Sequence, residues 1–328
     1  MPRCIWCKQD KPLGEFNVEH VLPQSFGTFE QNFTLVEVVC QDCNSRFAKE
    51  LEPSLARDSL EGFDRYRYGL KDPAEFRSLG ARSTTKVQLT EGPYAGAWAY
   101  TVKGKEALGT TPFPQVGIAK APEGPFEWFM LDALPTMDDV KARGYTGNVC
   151  MRLCECDPAE ASRLLAEKSI NITLTETFEP PAGGTWVEQV FRPQLVHRRA
   201  LAKVALNYIA HQFGRDVALE ARFDAIRNLV MNATVPASPY YSIDEEPLID
   251  GDKQDGKRVL GHAIVVVQHG NEVEVIVSLY NRFRHRFVLA NSPGTTLPPR
   301  GHFFDPANRR IVVLDPAFRV VGVLELKP

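Results

Sequence analysis

The sequence predicts an α+β protein, with a small cysteine-bounded module over residues 1–62 followed by a larger mixed α+β domain over residues 63–328. Three observations predict it. Four of the seven cysteines fall in two C-x-x-C pairs, Cys4/Cys7 and Cys40/Cys43. Short alternating runs bounded by Gly, Pro and Asn recur from about residue 84 to 190 and again after 259, as strands do. Between them, residues 193–231 carry apolar side chains at helical spacing.

The cysteine pairs come first in the chain and carry the most chemistry. Two such knuckles supply four thiolates to one tetrahedral Zn²⁺, which can hold together a segment too small for a core of its own. Cys4, Cys7, Cys40 and Cys43 are therefore the expected ligands of a structural zinc. The other three cysteines, Cys150, Cys154 and Cys156, lie in the strand-like VCMRLCECD and read as buried thiols.

The elements follow in order. A short hairpin is expected between the knuckles, then a helix capped by Asn44 or Ser45 with Phe47, Leu51 and Leu55 on one face. Pro53 splits that helix in two. Strands are expected at 85–89, 95–102, 115–119, 127–131, 148–153, 170–173 and 185–191, with an amphipathic helix at 158–167. Leu195 to Phe213 form the strongest helix, stopped by Gly214, and a second runs from about Val217 to Val230. After an acidic loop, 259–268 and 272–280 form a hairpin around His269-Gly270-Asn271, followed by strands at 286–290, 310–314 and 320–326.

Composition bounds the function. At 44% hydrophobic and 24% charged, the chain is that of an ordinary globular protein. No apolar run approaches the roughly 20 residues needed to cross a bilayer, so no membrane partner is expected. The segment MPRCIWCKQD lacks the apolar core of a signal peptide, and a cytoplasmic protein is expected. The net charge of −3, with six Lys/Arg against ten Asp/Glu in residues 1–62, argues against a simple DNA-binding finger. A bound divalent ion would change that local field.

Between the knuckles stands Glu19-His20-Val21-Leu22-Pro23, and Asn44 follows Cys43 directly. A zinc ribbon needs neither. Phosphodiester hydrolysis needs a base that is neutral near pH 7, as histidine ordinarily is, and hard oxygen ligands for Mg²⁺ or Mn²⁺. These residues resemble the HNH (ββα-metal) endonuclease family in its zinc-knuckle branch, and EHVLPQSFG is similar to the HNH stretch of RNA-guided DNA nucleases. The resemblance implies His20 as general base, with Glu19 and Asn44 as ligands of the catalytic ion. The family's middle residue falls on Asn32 or Thr34, and the further histidine many members carry is here Ala48.

Arg46 and Lys49, on the helix after the second knuckle, are candidate phosphate contacts. So are Arg282, Arg284 and Arg286, in a 281–310 stretch that holds six Arg against one acid, interleaved with Phe283, Phe287, Phe303 and Phe304. Residues 192–228 form a second basic stretch. Six further histidines, at 197, 211, 262, 269, 285 and 302, show no ligand-like spacing and read as packed or surface residues. The expectation is a metal-dependent endonuclease acting on DNA, with restriction or anti-phage defence suggested by analogy. A homodimer would suit double-strand cleavage. The residues 63–328 would serve substrate recognition, sensing or oligomerisation. Two rivals stand: a catalytically inactive zinc-held module that binds nucleic acid or protein, and an RNA-directed nuclease.

Overall fold

The computed structural model describes residues 1–29, 33–57, 59–67, 86–103, 108–145, 149–170, 172–177, 187–188, 193–249 and 259–315. The chain divides into two compact units. One joins residues 1–73 to 193–328; the other, residues 74–192, is inserted between them in sequence.

The first unit begins with β1 (Glu19–His20) and β2 (Thr34–Leu35), an antiparallel pair with His20 opposite Thr34. Helices α1 (Gln41–Glu50), α2 (Glu52–Arg57) and α3 (Leu60–Arg67) follow. Helix α1 starts four residues earlier than the Asn44 cap implied, with Cys40 at the N-cap and no side-chain cap bond. Its extended backbone turns the chain into the helix while its thiol joins the cysteine cluster. The break at Leu51 falls as expected, because Pro53 sits in the first turn of α2, where its missing N–H leaves no bond unmade.

The inserted unit has two sheets of four strands each. One has the order β10-β3-β4-β5, from β3 (Lys86–Leu89), β4 (Trp98–Lys103), β5 (Leu108–Pro112) and β10 (Val187–Glu188). The other has the order β7-β6-β8-β9, from β6 (Gln115–Ala119), β7 (Glu127–Met130), β8 (Val149–Cys154) and β9 (Ile172–Thr177), with β8 and β9 parallel. Helices α4 (Met137–Ala142) and α5 (Pro158–Glu167) complete it. Buried Gln115 ties the sheets together: its Nε2 donates to Trp98 O at 2.6 Å and its Oε1 accepts from Trp98 N–H at 3.0 Å. Cys150, Cys154 and Cys156 are free thiols, and burial pushes that of Cys154 up to about 12.

The first unit resumes with α6 (Leu195–Phe213), which is apolar nearly all round and accordingly buried along most of its length. Gly214, at φ 94°, ends it in a conformation that costs glycine little. The expected single helix from Val217 to Val230 is broken into α7 (Arg215–Leu219), a short 3-10 turn and α8 (Asp224–Asn232). Arg227 accounts for the break, donating to the orphan carbonyls of Ala218, Leu219 and Glu220 at 2.8–3.0 Å. The remaining strands are β11 (Tyr241–Asp244), β12 (His262–His269), β13 (Glu272–Ser278), β14 (Arg284–Ala290), β15 (Arg300–Asp305) and β16 (Arg310–Val313). They form one antiparallel sheet in the order β11-β14-β13-β12-β15-β16. The strand expected at 320–326 lies outside the described residues.

The boundary expected at residue 62 does not divide the structure. Trp6, Phe26, Phe47, Leu51 and Leu55 share one core with Ala202, Leu206 and Ile209 of α6 and with Ile264, Val275 and Phe304 of the six-stranded sheet. Some sixty residues clamped by zinc cannot bury their own apolar side chains, so these are covered by chain that lies more than a hundred positions away.

One link in this shared core is polar. His262 is fully buried; its Nδ1 accepts from the Tyr280 N–H at 3.1 Å, which fixes the proton on Nε2, the donor to Phe26 O at 2.8 Å. Burial holds its pKa down to about 4. Because that lies below the ordinary 6.5, the unfolded chain takes up the proton first as pH falls. The contribution of His262 is therefore complete above about pH 6.5 and lost progressively towards pH 4, by about 3 kcal/mol. Denaturant midpoints measured from pH 7 to 4.5 should fall less steeply for His262→Gln than for the native chain; parallel slopes would remove His262 as the cause.

Candidate metal centre and active site

The sulfurs of Cys4, Cys7, Cys40 and Cys43 all lie within 4.8 Å of one another. Each knuckle achieves this differently. Cys4 and Cys7 flank a tight turn closed by Lys8 N–H to Cys4 O at 3.0 Å, with Lys8 in the left-handed region. Cys40 and Cys43 are N-cap and third residue of α1, three apart and hence on one helix face. Tetrahedral Zn–S bonds of about 2.3 Å imply sulfur pairs about 3.8 Å apart. The Cys7–Cys40 pair stands at 3.8 Å.

The Cys43 thiol and the backbone amides of Cys40, Cys7 and Trp6 hold Cys4 down to about 5, against its burial. Burial pushes Cys7 up to about 11, and the bond to Cys4 together with burial pushes Cys43 up. A divalent cation at the centre would let all four serve as thiolates. The donor set fits zinc.

Glu19 and His20 are neighbours on β1, so their side chains leave opposite faces. Glu19 is buried and turned to α6, where its Oε1 receives Asn207 Nδ2 at 3.0 Å and the Lys203 ammonium. Lys203, itself buried, also donates to Glu52 Oε1 at 2.7 Å. Asn207 in turn accepts from Trp6 Nε1 at 3.1 Å. Burial pushes the Glu19 carboxyl up against the pull of Lys203 and Asn207. Burial also opposes the Lys203 ammonium, but Glu19 and Glu52 outweigh it and hold Lys203 above the ordinary lysine range. With two carboxylates on one ammonium and an amide donor added, Lys203 and Glu19 form an ion pair.

His20 is half-buried and opens on a cavity of about 120 Å³ that it shares with Gln24, Phe29, Phe33, Thr34 and Phe304, among others. Gln24 Nε2 donates to His20 Nε2 at 3.0 Å, which leaves Nε2 as the unprotonated, basic nitrogen. Asn44 is half-buried on α1; its Nδ2 donates to Val18 O at 3.2 Å and Asn17 Oδ1 at 3.0 Å, tying the helix to the residues just before Glu19. Oδ1 of Asn44 and Oε2 of Glu19 take no hydrogen bond from the described residues. Each side chain is thus anchored by one atom and leaves one oxygen uncommitted among the described residues.

The HNH endonuclease family model matches residues 4–60, the segment that contains both knuckles, Glu19, His20 and Asn44. Residues 4–60 are a zinc-knuckle HNH module. No curated protein and no solved structure matches the chain. No described helix is long and apolar enough to cross a membrane.

Around the HNH module the sequence-based expectations fare unevenly. Thr34 stands across the strand pair from His20 and lines the same cavity, whereas Asn32 lies outside the described residues. Arg46 pairs with Glu50 at 3.1 Å, and Lys49 is exposed. The three arginines of β14 and its approach already have acidic partners: Arg282 with Asp64, Arg284 with Glu246, and Arg286 with Asp244 and Glu274. The interleaved Phe287, Phe303 and Phe304 are buried in the core and present no stacking platform. His197, His262 and His285 are buried and hydrogen-bonded, as their lack of ligand spacing implied.

Sequence reasoning placed Lys203 only in the basic stretch 192–228, and missed Asn207 and Gln24. The first two left a signal: a lysine and an asparagine four apart in the apolar run ALAKVALNYIA must share a buried face, and a buried ammonium needs an acid. Which acid it meets, 184 positions earlier in Glu19, only the fold reveals.

Proposed function

We propose that this protein is a metal-dependent endonuclease that hydrolyses phosphodiester bonds in DNA at Glu19, His20 and Asn44. The observation that carries the reading is the pairing of anchors within the HNH module: Glu19 held through Oε1, Asn44 through Nδ2, each with its second heteroatom an unused oxygen. Those two oxygens suit Mg²⁺ or Mn²⁺, hard cations that keep several waters and need few protein ligands. The ion when bound would supply Lewis-acid stabilisation of the phosphate and the departing 3′-oxygen.

The remaining work falls to the chain. His20 Nε2 would accept the proton of the attacking water, which requires Gln24 to yield its hydrogen bond at that atom. Phe304, from β15, closes the cavity on one side, so residues of the C-terminal sheet bound the space beside the base. Thr28 and Thr34 add hydroxyls to its rim.

Incubation of the purified protein with supercoiled plasmid and with a matched RNA, each with Mg²⁺, Mn²⁺ or EDTA, tests the reading. Metal-dependent nicking or linearisation of DNA, absent in Glu19→Gln, is expected. Cleavage confined to RNA would replace the substrate. A second reading has one observation in its favour: the Lys203 ammonium against Glu19 is also what a binding module with a spent metal site would show. Such a module would bind the plasmid without cutting it under any metal.

A further inference from the structure

We infer that Lys203 and Asn207 of α6 are positioning residues for the nuclease metal ligand Glu19, so that the segment from residue 193 onward completes a site whose ligands all lie in the first 44 residues. The inference rests on the nuclease reading above and deepens it.

The geometry is specific. Glu19 sits on a two-residue strand, a support too short to fix a long side chain by itself. Glutamate also has one more rotatable bond than aspartate, so its carboxylate needs an external hold to present a defined oxygen. Two donors one helical turn apart on α6 provide it, and both converge on Oε1. Each donor is in turn fixed. Lys203 is pinned by Glu52 at the start of α2, and Asn207 by the indole of Trp6 between the first two cysteines. The chain Trp6–Asn207–Glu19–Lys203–Glu52 thus links the first zinc knuckle, the ligand strand and the helix following the second knuckle through a single face of α6. Carboxylates that ligate metal are commonly held in this way by outer hydrogen bonds, whose loss lowers metal affinity by about 10–100-fold.

Lys203 has a second consequence. Glu19 would bring one negative charge to the ion, and Lys203 offsets part of it, while Glu52 restores the balance from the far side. Removing the ammonium leaves the carboxylate held by Asn207 alone and its charge no longer offset. Metal affinity therefore separates positioning from competition: a ligand that loses its hold binds more weakly, whereas a ligand relieved of a competing cation binds more tightly.

The test is Mn²⁺ binding to the zinc-loaded full chain, followed by electron paramagnetic resonance or titration calorimetry, with no substrate present. The native protein is expected to bind one Mn²⁺ and Glu19→Gln to lose it. Lys203→Met and Asn207→Ala are each expected to weaken binding by about 10–100-fold, with zinc content unchanged and a cooperative melt retained. Asn207→Ala removes no charge and decides the matter should Lys203→Met fail to fold. Affinities of the folded variants within threefold of native, with Glu19→Gln still defective, would overturn the positioning role alone. Tighter binding by Lys203→Met would overturn it in favour of Lys203 as a competitor for Glu19. Absence of Mn²⁺ binding to the native chain would remove the nuclease reading and the inference with it.

Discussion

His20→Ala is expected to lower metal-dependent plasmid cleavage by about 10²–10⁴-fold, the usual contribution of a general base. Zinc content and melting temperature should stay near native. The two halves of this expectation come from the two faces of β1. His20 is half-buried and lines a cavity, and among the described residues its ring hydrogen-bonds only with the exposed Gln24. Truncating it leaves neither a core void nor an orphaned buried donor, the usual sources of large destabilisation. Glu19→Gln makes the instructive contrast. It weakens the ion pair with a fully buried Lys203, and breaking such a pair costs about 3–5 kcal/mol. Loss of cleavage in Glu19→Gln therefore needs a melt beside it, whereas loss in His20→Ala speaks to chemistry directly. A His20→Ala protein that cuts as fast as native would end the assignment of His20 as base.

The second large effect is that of the zinc. Cys43→Ser is expected to release the metal and to remove the cooperative melt of the whole first unit rather than of its N-terminal segment alone. Structural zinc contributes about 10–16 kcal/mol in small modules, comparable to the entire 5–15 kcal/mol stability of an ordinary domain. The loss should spread because Trp6 and Phe47, which pack edge to face at 5.1 Å beside the cluster, belong to the core that α6 and the six-stranded sheet also build. Metal content by mass spectrometry and thermal melts by circular dichroism measure both. A zinc-free variant with an unchanged melt would show that apolar contacts hold the module without the ion.

What was legible in the sequence follows from how locally each feature is encoded. The cysteine pairs, the Glu19-His20 run and Asn44 are short-range patterns, and they located in residues 1–62 the HNH module that the family model matches over residues 4–60. Helix α5, with Asp157 as its cap and Pro158 at its first position, was equally readable because its stop and start signals lie within it. Strand β15 was not, since RGHFFD has no alternation of its own and becomes a strand by pairing with β12 and β16. The start of α1 was misplaced because its N-cap residue, Cys40, makes no side-chain cap bond and so carries no capping signal in the sequence. The same holds for the site. The candidate groups Glu19, His20 and Asn44 all lie in the first 44 residues, whereas what surrounds them, Lys203, Asn207 and Phe304, is specified only once distant segments meet.

The separation of those segments sets a timetable for synthesis. Phe26 waits for His262 across 236 residues and Glu52 for Lys203 across 151. At about 5–20 residues per second, a ribosome needs about 10–50 s to supply the first of these partners. During that interval the two knuckles can already gather zinc, but Glu19 has no lysine and the cavity no far wall. A phosphodiesterase that used Glu19 and His20 would thus be assembled last at the place where it cuts, and an unfinished or prematurely ended chain would be a poor nuclease from the outset.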